Sequence, residues 1–414
     1  MVSPNLALNE YVAQRQAAGD DIVHMGFGEA RLPVFGPLAD QLIKGATRNA
    51  YGPVAGCEEA RAAVAGYFTR RGLPTQPGQI VLAPGSKPLL MALNHVLPGD
   101  VVLPRPCWNS YAPQAKLANK DVFPVAIPAE CGGVPDPAAL RGMIHAARAL
   151  GRAPRTVVLT LPDNPTGTIA SPERVREICR LAEEEDLFLV SDEIYRDLVH
   201  PPGTELVSPA EVVPDRTVVT TGLSKSLAVG GWRIGAARFP DSAVGERLRA
   251  DVTSVASDLW STLAGPMQAV AAYAFSEPPE IRQQLAACAR LHGVVAHAVY
   301  EIMISVGAQC RRPTGGFYVY PDFEPLRDRL AGHGVSCSAS LSRELLLQSG
   351  IAVLPGHHLG DDDQALRFKA ATSMLYGESA HEQQMALDAN DPLRLPHVDA
   401  ALTRIDEGLT KLCR

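Results

Sequence analysis

Short apolar runs recur through the middle of the chain, each ending in a polar or glycine-rich turn, with helical patterns between them. The runs lack the apolar–polar alternation of a half-exposed strand, so we expect strands buried on both faces, as in a parallel sheet. The clearest runs are residues 80–82, 101–103, 157–159, 187–190 and 218–219. This strand–helix–strand succession predicts an α/β sheet covered by helices.

The ends of the chain differ from its middle. Residues 1–40 hold a short helix and an irregular Gly/Pro-rich stretch, whereas long helical patterns, a strand candidate at 316–320 and a terminal amphipathic helix follow from about residue 276. A chain of 414 residues exceeds what one hydrophobic core usually spans. We therefore expect a large domain over 41–275 and a smaller α/β domain built from 1–40 and 276–414.

Composition excludes several classes of partner. The formal net charge is -7, whereas a nucleic-acid or anionic-membrane surface needs a basic patch. No apolar run approaches the roughly 18 residues of a membrane helix, and the first residues lack the basic-then-apolar order of a signal peptide. The 8 cysteines form no Cys-x-x-Cys pair, which favours reduced, packed thiols. A cytoplasmic protein is the expectation.

A lysine motif follows the apolar run that ends near residue 221. Gly222-Leu223-Ser224-Lys225 precedes Gly230-Gly231-Trp232-Arg233-Ile234-Gly235. A lysine just after a buried strand and near other cations has a lowered pKa, which frees its amine to form an imine. Arg233 is suited to a bidentate pair with a phosphate. A surface lysine and a structural arginine are the alternatives for each residue taken alone.

Polar residues also end two earlier runs. Asp192 follows a buried strand, with Tyr195 three residues on. Such an acid can keep a pyridine nitrogen protonated so that the ring accepts electrons, or it can simply cap the next turn. Tyr195 is placed to donate a hydrogen bond to an oxygen on the same ring. Asn164, in a turn after the run at 157–159, is placed to hydrogen-bond that oxygen too, although a turn with no binding role would have the same sequence.

Two further turns offer contacts for a flat, phosphorylated ligand. Pro84-Gly85-Ser86-Lys87 joins a strand to a helix, and its small residues leave backbone N–H groups open at the helix N-terminus, which favours phosphate binding. It lacks the spacing of a Walker A loop. Trp108, after the run at 101–103, presents an aromatic face for stacking, with ordinary core packing as the alternative.

Together and in this order, these motifs resemble the class I/II aminotransferase family, which are fold-type I pyridoxal-phosphate (PLP) enzymes. The resemblance covers nearly the whole chain and implies that Lys225 carries PLP as an imine, a Schiff base. The ring contacts that it implies are Asp192 on the pyridine nitrogen, Tyr195 and Asn164 on the phenolic oxygen, and Trp108 on the ring face. The phosphate contacts that it implies are Gly85, Ser86, Lys87, Ser224 and Arg233.

The resemblance also assigns residues near both ends. Gly28, in the segment 26–29, resembles part of the loop that closes over the substrate, which Trp108 and Asn164 would also contact. Tyr51 resembles the tyrosine that reaches the cofactor phosphate of the neighbouring subunit, which implies a homodimer. Arg367 resembles the arginine that grips the substrate α-carboxylate, a role that suits a fork-shaped guanidinium.

The chain departs from the family pattern at several points. Lys369 stands where many members have a small residue, Arg31 stands where many have an acid, and residues 377–396 form a polar insertion. No clear counterpart exists for the second arginine that binds dicarboxylate substrates, because the matching region 258–262 is apolar or acidic. Aspartate and glutamate are therefore not the expected preferred substrates.

The resemblance implies an aminotransferase that exchanges an amino group between an amino acid and a 2-oxo acid, with Lys225 as the base for the α-proton. A lyase, cyclase or carbon–carbon-bond-forming enzyme is the alternative, because the same residues serve β- or γ-elimination and replacement. A PLP-binding regulator, in which this domain is joined to a DNA-binding one, is a second alternative that we do not expect.

No metal is expected. His357 and His358 precede three aspartates at 361–363, but the resemblance makes this segment a loop that leads to the arginine strand. His292 and His297 lack the His-Glu-x-x-His pattern, and we expect both on a helix surface.

Overall fold

A computed structural model of the protein describes residues 3–201 and 204–414. Its helices in chain order are α1 (Pro4–Ala17), α2 (Gly36–Gly45), α3 (Glu58–Thr69), α4 (Ser86–Val96), α5 (Tyr111–Leu117), α6 (Pro137–Ala149), α7 (Pro172–Glu184), α8 (Pro209–Val212), α9 (Leu223–Ser226), α10 (Ala243–Leu259), α11 (Gly265–Ser276), α12 (Pro279–Ser305), α13 (Arg327–Ala331), α14 (Ser338–Ser349), α15 (Ala380–Asp388) and α16 (Pro396–Cys413). Its strands are β1 (Val23–His24), β2 (Ile80–Ala83), β3 (Asp100–Arg105), β4 (Val122–Ala126), β5 (Pro154–Thr160), β6 (Phe188–Asp192), β7 (Thr217–Gly222), β8 (Gly235–Arg238), β9 (Gln309–Cys310), β10 (Tyr318–Val319), β11 (Pro321–Asp322), β12 (Ile351–Ala352), β13 (Leu354–Pro355) and β14 (Phe368–Ala371).

The central sheet has seven strands in the order β2-β8-β7-β6-β5-β3-β4. The strands from β7 to β4 pair in parallel, and β8 is antiparallel to both of its neighbours. The predicted α/β fold with a mainly parallel central sheet is therefore confirmed. Since β2, β3, β5, β6 and β7 point the same way, their carboxyl ends meet at one edge, where ligands of such sheets bind.

The sequence patterns located most of this sheet. Five strands coincide with the predicted apolar runs, whereas β4 and β8 were not predicted. Ser171 caps the start of α7, where its Oγ accepts a hydrogen bond of 3.3 Å from the N–H of Arg174 in the first turn. The expected terminal helix is α16, which buries Val398, Ile405 and Leu409.

Segments from both ends of the chain pack together beside the central sheet. β1 pairs in parallel with β12, and β14 pairs with β10 and β13. Met25 shares one hydrophobic core with Phe317, Phe368 and Ile405, which accounts for apolar residues in these distant segments. The predicted domain boundary after residue 40 falls inside α2, and the proposed division at 41–275 stays a prediction.

Two local expectations need correction. The strand candidate at 316–320 is shorter, because only Tyr318 and Val319 form β10. His292 does not lie on a helix surface: it is fully buried on α12, where its Nδ1 lies 2.6 Å from the Tyr376 hydroxyl. Helix α12 packs against the core formed by both ends of the chain, and this packing buries His292. Its hydrogen bond to Tyr376 offsets the cost of burying a polar ring.

Candidate active site

A cavity of about 410 Å³ lies at the carboxyl edge of the central sheet. Most of the residues predicted from the sequence line it: Gly28, Ser86, Lys87, Trp108, Asn164, Asp192, Tyr195, Ser224, Lys225 and Arg233. They come from five turns after strands, from the segment before β8 and from the loop after β1. The topology thus gathers residues that are far apart in the sequence, as the crevice at the strand ends of open α/β sheets requires.

Lys225 stands in the short helix α9, directly after β7. Its Nζ donates a hydrogen bond of 2.5 Å to the backbone oxygen of Gly28. Burial lowers the pKa of Lys225 to about 8; the nearby carboxylate of Glu29 opposes this, and the charges of Arg233 and Lys87 add to it. About a tenth of this amine is therefore neutral at pH 7, compared with less than a thousandth of an ordinary lysine. The neutral form is the one that attacks a carbonyl carbon.

Asp192 ends β6 in a row of polar residues across the sheet. It pairs in register with Thr160 of β5 and Thr220 of β7, and its Oδ1 accepts a hydrogen bond of 3.1 Å from Thr220. Oδ2 accepts one of 2.8 Å from Tyr111. Burial raises the pKa of Asp192 to about 6, although both hydroxyl donors favour the charged form. A cationic ring nitrogen beside it would favour that form further.

Three side chains form a polar group beside Asp192. The hydroxyls of Tyr195 and Tyr318 lie 2.7 Å apart, and Asn164 Nδ2 donates to Tyr195 over 3.4 Å. Burial raises the pKa of both tyrosines well beyond the neutral range, so the hydroxyls stay protonated and can donate. Asn164 Oδ1 is buried and has no hydrogen-bond partner in the described parts of the chain, which indicates that a ligand completes this group.

Another part of the cavity is suited to an anion. Gly85 has a φ of 90° just before α4, and a Cβ there would collide with the guanidinium of Arg233. Arg233 Nη1 lies 3.4 Å from Ser224 Oγ, and Ser86 begins α4. Helix N-terminal amides, a hydroxyl and a guanidinium are the groups that bind phosphate.

Two predicted residues lie elsewhere in the protomer. Tyr51 is 91% exposed and is not among the residues that line the cavity. Arg367 lines a separate cavity of about 450 Å³, where its Nε donates 2.8 Å to Asp322. A phosphate contact in a neighbouring subunit for Tyr51 and a carboxylate contact for Arg367 both stay predictions.

Some lining or supporting residues were missed or left without a role. Tyr111, Thr220 and Tyr318 were not predicted, because an isolated hydroxyl in a strand or helix carries no sequence signal. Lys369 was noted only as a departure from the family pattern, and it lines the cavity. Another departure, Arg31, donates 2.8 Å to Glu378, so the loop after β1 contacts the polar insertion.

Neither a metal cluster nor a membrane span emerges from the described residues. Within 3–201 and 204–414, no group of three or more His, Cys, Asp or Glu side chains could hold a metal ion. His357, one of the two neighbouring histidines, instead lies 2.8 Å from Ser338 Oγ through its Nδ1. The helices in these same ranges are all too short or too polar to cross a bilayer.

The residues present fit PLP. One cavity at the strand ends contains a buried lysine of lowered pKa and a buried acid. The same cavity contains an amide oxygen that has no hydrogen-bond partner among the described residues, and a helix N-terminus suited to an anion. These are the groups that bind the aldehyde, ring nitrogen, ring oxygen and phosphate of this cofactor. The fold and the site together define a PLP-dependent enzyme of fold-type I.

Comparisons with known proteins narrow this class. The sequence model of the family aminotransferase class I and II matches residues 22–375. Aspartate/prephenate aminotransferase of Thermus thermophilus is 32% identical over 371 residues, which cover 86% of this chain and 88% of that protein. Aspartate aminotransferase of Geobacillus stearothermophilus is 29% identical over 391 residues, 92% of this chain and 95% of that protein.

A solved structure agrees with this assignment. The aspartate aminotransferase from Thermus thermophilus with maleate superposes with a TM-score of 0.81 at 27% identity, covering 94% of this chain and 96% of that one. The chain belongs to the class I and II aminotransferase family. It is a PLP-dependent aminotransferase that acts on amino acids and 2-oxo acids, and the lyase or cyclase alternative is not favoured.

Proposed function

We propose that the protein transfers the amino group of an amino acid with a single carboxylate to a 2-oxo acid, with Lys225 moving the proton. The observation that carries this proposal is the position of Lys225, a buried lysine of lowered pKa in a cavity with Asp192, Asn164 and Tyr195. A base is most effective at transferring a proton when its pKa lies near the pH at which the enzyme works.

Each side chain has a defined task in this proposal. When bound, PLP supplies an electron sink that stabilises the carbanion left by removal of the α-proton. The neutral amine of Lys225 would take that proton from the substrate α-carbon and deliver it to the carbon of the former cofactor aldehyde. Asp192, ionised, would hold a proton on the pyridine nitrogen, and the Tyr195 hydroxyl and the Asn164 amide would orient the ring oxygen. Trp108, half-buried at the cavity wall, keeps water from one face of the ring.

We infer that the substrate side chain contacts the few apolar residues of a cavity whose lining is otherwise mostly polar. Leu6, Phe27 and Ile194 line the cavity, and region 258–262 supplies no arginine. Several relatives are named aspartate aminotransferases, so aspartate and glutamate are the reference substrates for this proposal. A second carboxylate beside apolar side chains would lose its hydration without a partner, which disfavours both.

The proposal includes a homodimer in the cytoplasm. Tyr51 supports the dimer, because a tyrosine that is 91% exposed in the protomer is free to reach a neighbouring subunit. Aromatic side chains of this kind are enriched at interfaces, where one end is apolar and the other polar. Location in the cytoplasm is proposed from the sequence alone.

The decisive experiment is a half-reaction with the purified PLP-loaded protein. L-Alanine, L-leucine, L-phenylalanine, L-aspartate and L-glutamate are added one at a time, and 2-oxo acid and aminated cofactor are measured. We expect equal amounts of both products, with faster conversion of the first three amino acids. Ammonia release without aminated cofactor would contradict transamination, and full activity of Lys225→Ala would refute the assigned lysine.

A further inference from the structure

Tyr318 reaches the cavity from β10, outside the central sheet. Only 1% of the residue is exposed. Its ring packs against those of Tyr195 and Phe317, with ring centres 5.5 and 4.8 Å apart. The Nζ of Lys369 lies 5.0 Å from the centre of the Tyr318 ring. These contacts fix the direction of the ring, and with it the position of the hydroxyl.

The Tyr318 hydroxyl has one hydrogen-bond partner in the described parts of the chain, the Tyr195 hydroxyl at 2.7 Å. Another side of it is covered by the backbone of Gly28, where a Cβ would collide with the hydroxyl oxygen. A buried hydroxyl that does not donate its hydrogen costs free energy. Tyr195 is the acceptor within reach of this hydrogen, so Tyr318 is assigned as the donor of the pair.

This direction leaves the hydrogen of Tyr195 free for a ligand. The Tyr195 oxygen also accepts a hydrogen bond of 3.4 Å from Asn164 Nδ2, so both of its acceptor positions are filled. In the proposed function, the ring oxygen of PLP is the acceptor for the hydrogen of Tyr195. A hydroxyl that accepts a hydrogen bond is also a stronger donor, because successive hydrogen bonds polarise one another.

We propose that Tyr318 is a positioning residue that acts on the cofactor through Tyr195 and not by direct contact. This inference rests on the proposed function and specifies how the same cavity controls its cofactor. Tyr318 holds the Tyr195 hydroxyl in place for the ring oxygen and strengthens the hydrogen bond that Tyr195 donates. The ring oxygen therefore carries less negative charge than it would beside Tyr195 alone.

The charge on the ring oxygen affects the proton on the Schiff base between PLP and Lys225. A more negative oxygen nearby raises the pKa of a protonated nitrogen, so a hydrogen bond to that oxygen lowers the pH at which the proton leaves. The other titratable and charged side chains that line the cavity are Glu29, Lys87, Tyr111, Asp192, Arg233 and Lys369. These side chains are the same in every variant below, so differences between variants report the tyrosines.

The test is a pH titration of the visible absorption of the PLP-loaded protein, without substrate. The proteins are wild type, Tyr318→Phe, Tyr195→Phe, the double variant of these two and Tyr376→Phe, each first checked for cofactor content and circular dichroism. Tyr376→Phe is the matched control. Its hydroxyl is also buried, lies 2.6 Å from the Nδ1 of His292 and is not part of the cavity lining.

We expect the Schiff base of Tyr318→Phe to lose its proton about half to one pH unit above that of wild type. Tyr195→Phe should shift this midpoint further in the same direction, and Tyr376→Phe should leave it unchanged. The double variant should match Tyr195→Phe, because a residue that acts only through the Tyr195 hydroxyl has no effect once that hydroxyl is absent.

Three results would overturn the proposal. The first is a midpoint in Tyr318→Phe that stays at the wild-type value or falls below it. The second is an equal shift in Tyr376→Phe, which would indicate a general loss of packing. The third is a shift on removal of the Tyr318 hydroxyl that is as large without the Tyr195 hydroxyl as with it, which would indicate direct contact. If wild type forms no visible band with PLP, the proposed function fails instead, so the two failures are distinguishable.

Discussion

The Tyr111 hydroxyl donates a hydrogen bond of 2.8 Å to Oδ2 of Asp192 at the carboxyl end of β6. Both groups are buried, so this bond supports the ionised form of a carboxylate whose pKa burial raises to about 6. A hydrogen bond to a charged group contributes about 1.5–3 kcal/mol. Tyr111 therefore helps to decide at which pH Asp192 can hold a proton on a bound ring nitrogen.

Replacement of Tyr111 by phenylalanine should weaken cofactor retention on the acid side. Loss of the donor raises the pKa of Asp192 further, so the carboxyl is protonated at a higher pH and loses its attraction for the pyridinium. We expect several-fold greater PLP loss on dialysis of Tyr111→Phe at pH 6, and little difference from wild type at pH 8. Tyr11→Phe, on the exposed face of α1, is the matched control. Equal losses for Tyr111→Phe at both pH values would contradict this explanation.

Attachment of PLP to the cofactor-free protein should accelerate with pH around a midpoint near 8. The pKa of Lys225 is lowered to about 8, so roughly a tenth of the amine is neutral at pH 7 and half at pH 8. The rate can be followed by the visible absorption that appears when PLP is added between pH 6 and 10. A midpoint above pH 10, the value of an ordinary exposed lysine, would show that burial does not control this amine.

Lys369→Met should stabilise the substrate-free protein most at low pH. The pKa of Lys369 in the folded protein is about 7, below the ordinary value of about 10.4. Between these values the unfolded chain binds a proton that the folded protein does not, so this lysine makes stability rise with pH. Below about pH 7 the full cost of burying the ammonium is present.

Thermal unfolding of the cofactor-free protein checks this expectation. We expect Lys369→Met to gain about 2–4 kcal/mol relative to wild type at pH 6 and almost nothing at pH 10. Lys44→Met, at an exposed position of α2, controls for the loss of a positive charge. A gain that is the same at both pH values would mean that Lys369 is not desolvated in solution.

Subunit mixing tests the neighbour contact of Tyr51. Lys225→Ala lacks the lysine, and Tyr51→Ala removes a side chain that lies outside its own cavity. In a mixed dimer one site contains Lys225 from one subunit and Tyr51 from the other. After unfolding and refolding together, the pair should regain about a quarter of wild-type activity, because half of the dimers are mixed and each has one intact site. Activity no higher than the mean of the two separate variants would exclude a shared site.

The central sheet could be predicted except where its strands lack strand-like composition. β8 consists of Gly235, two alanines and Arg238, with none of the β-branched residues that mark a strand. The reason is steric: a Cβ at Gly235 would collide with the backbone of Gly85 and Ser86. Small residues are thus required by packing against the loop after β2, and that contact is invisible in the sequence.

The cavity could be predicted where a motif follows a buried strand, as at Lys225 and Asp192. It could not be predicted where distant groups decide a side-chain direction. Arg367 and Lys369 are two residues apart, so strand alternation places both on one face. Asp322 and Asp361 hold the arginine in another cavity, and their positions depend on how β11 and the turn after β13 fold.

The pairing of β1 with β12 joins segments about 330 residues apart in the chain. The strands of the central sheet are all translated before residue 240, whereas the loop that carries Gly28 has no β-strand partner until β12 has been made. At typical translation rates of 5–20 residues per second, the N-terminal segment waits roughly 15–65 s on the ribosome. During synthesis the nascent sheet can acquire its cofactor-binding edge well before it acquires the loop over the substrate, so competence for amino transfer comes among the last steps of maturation.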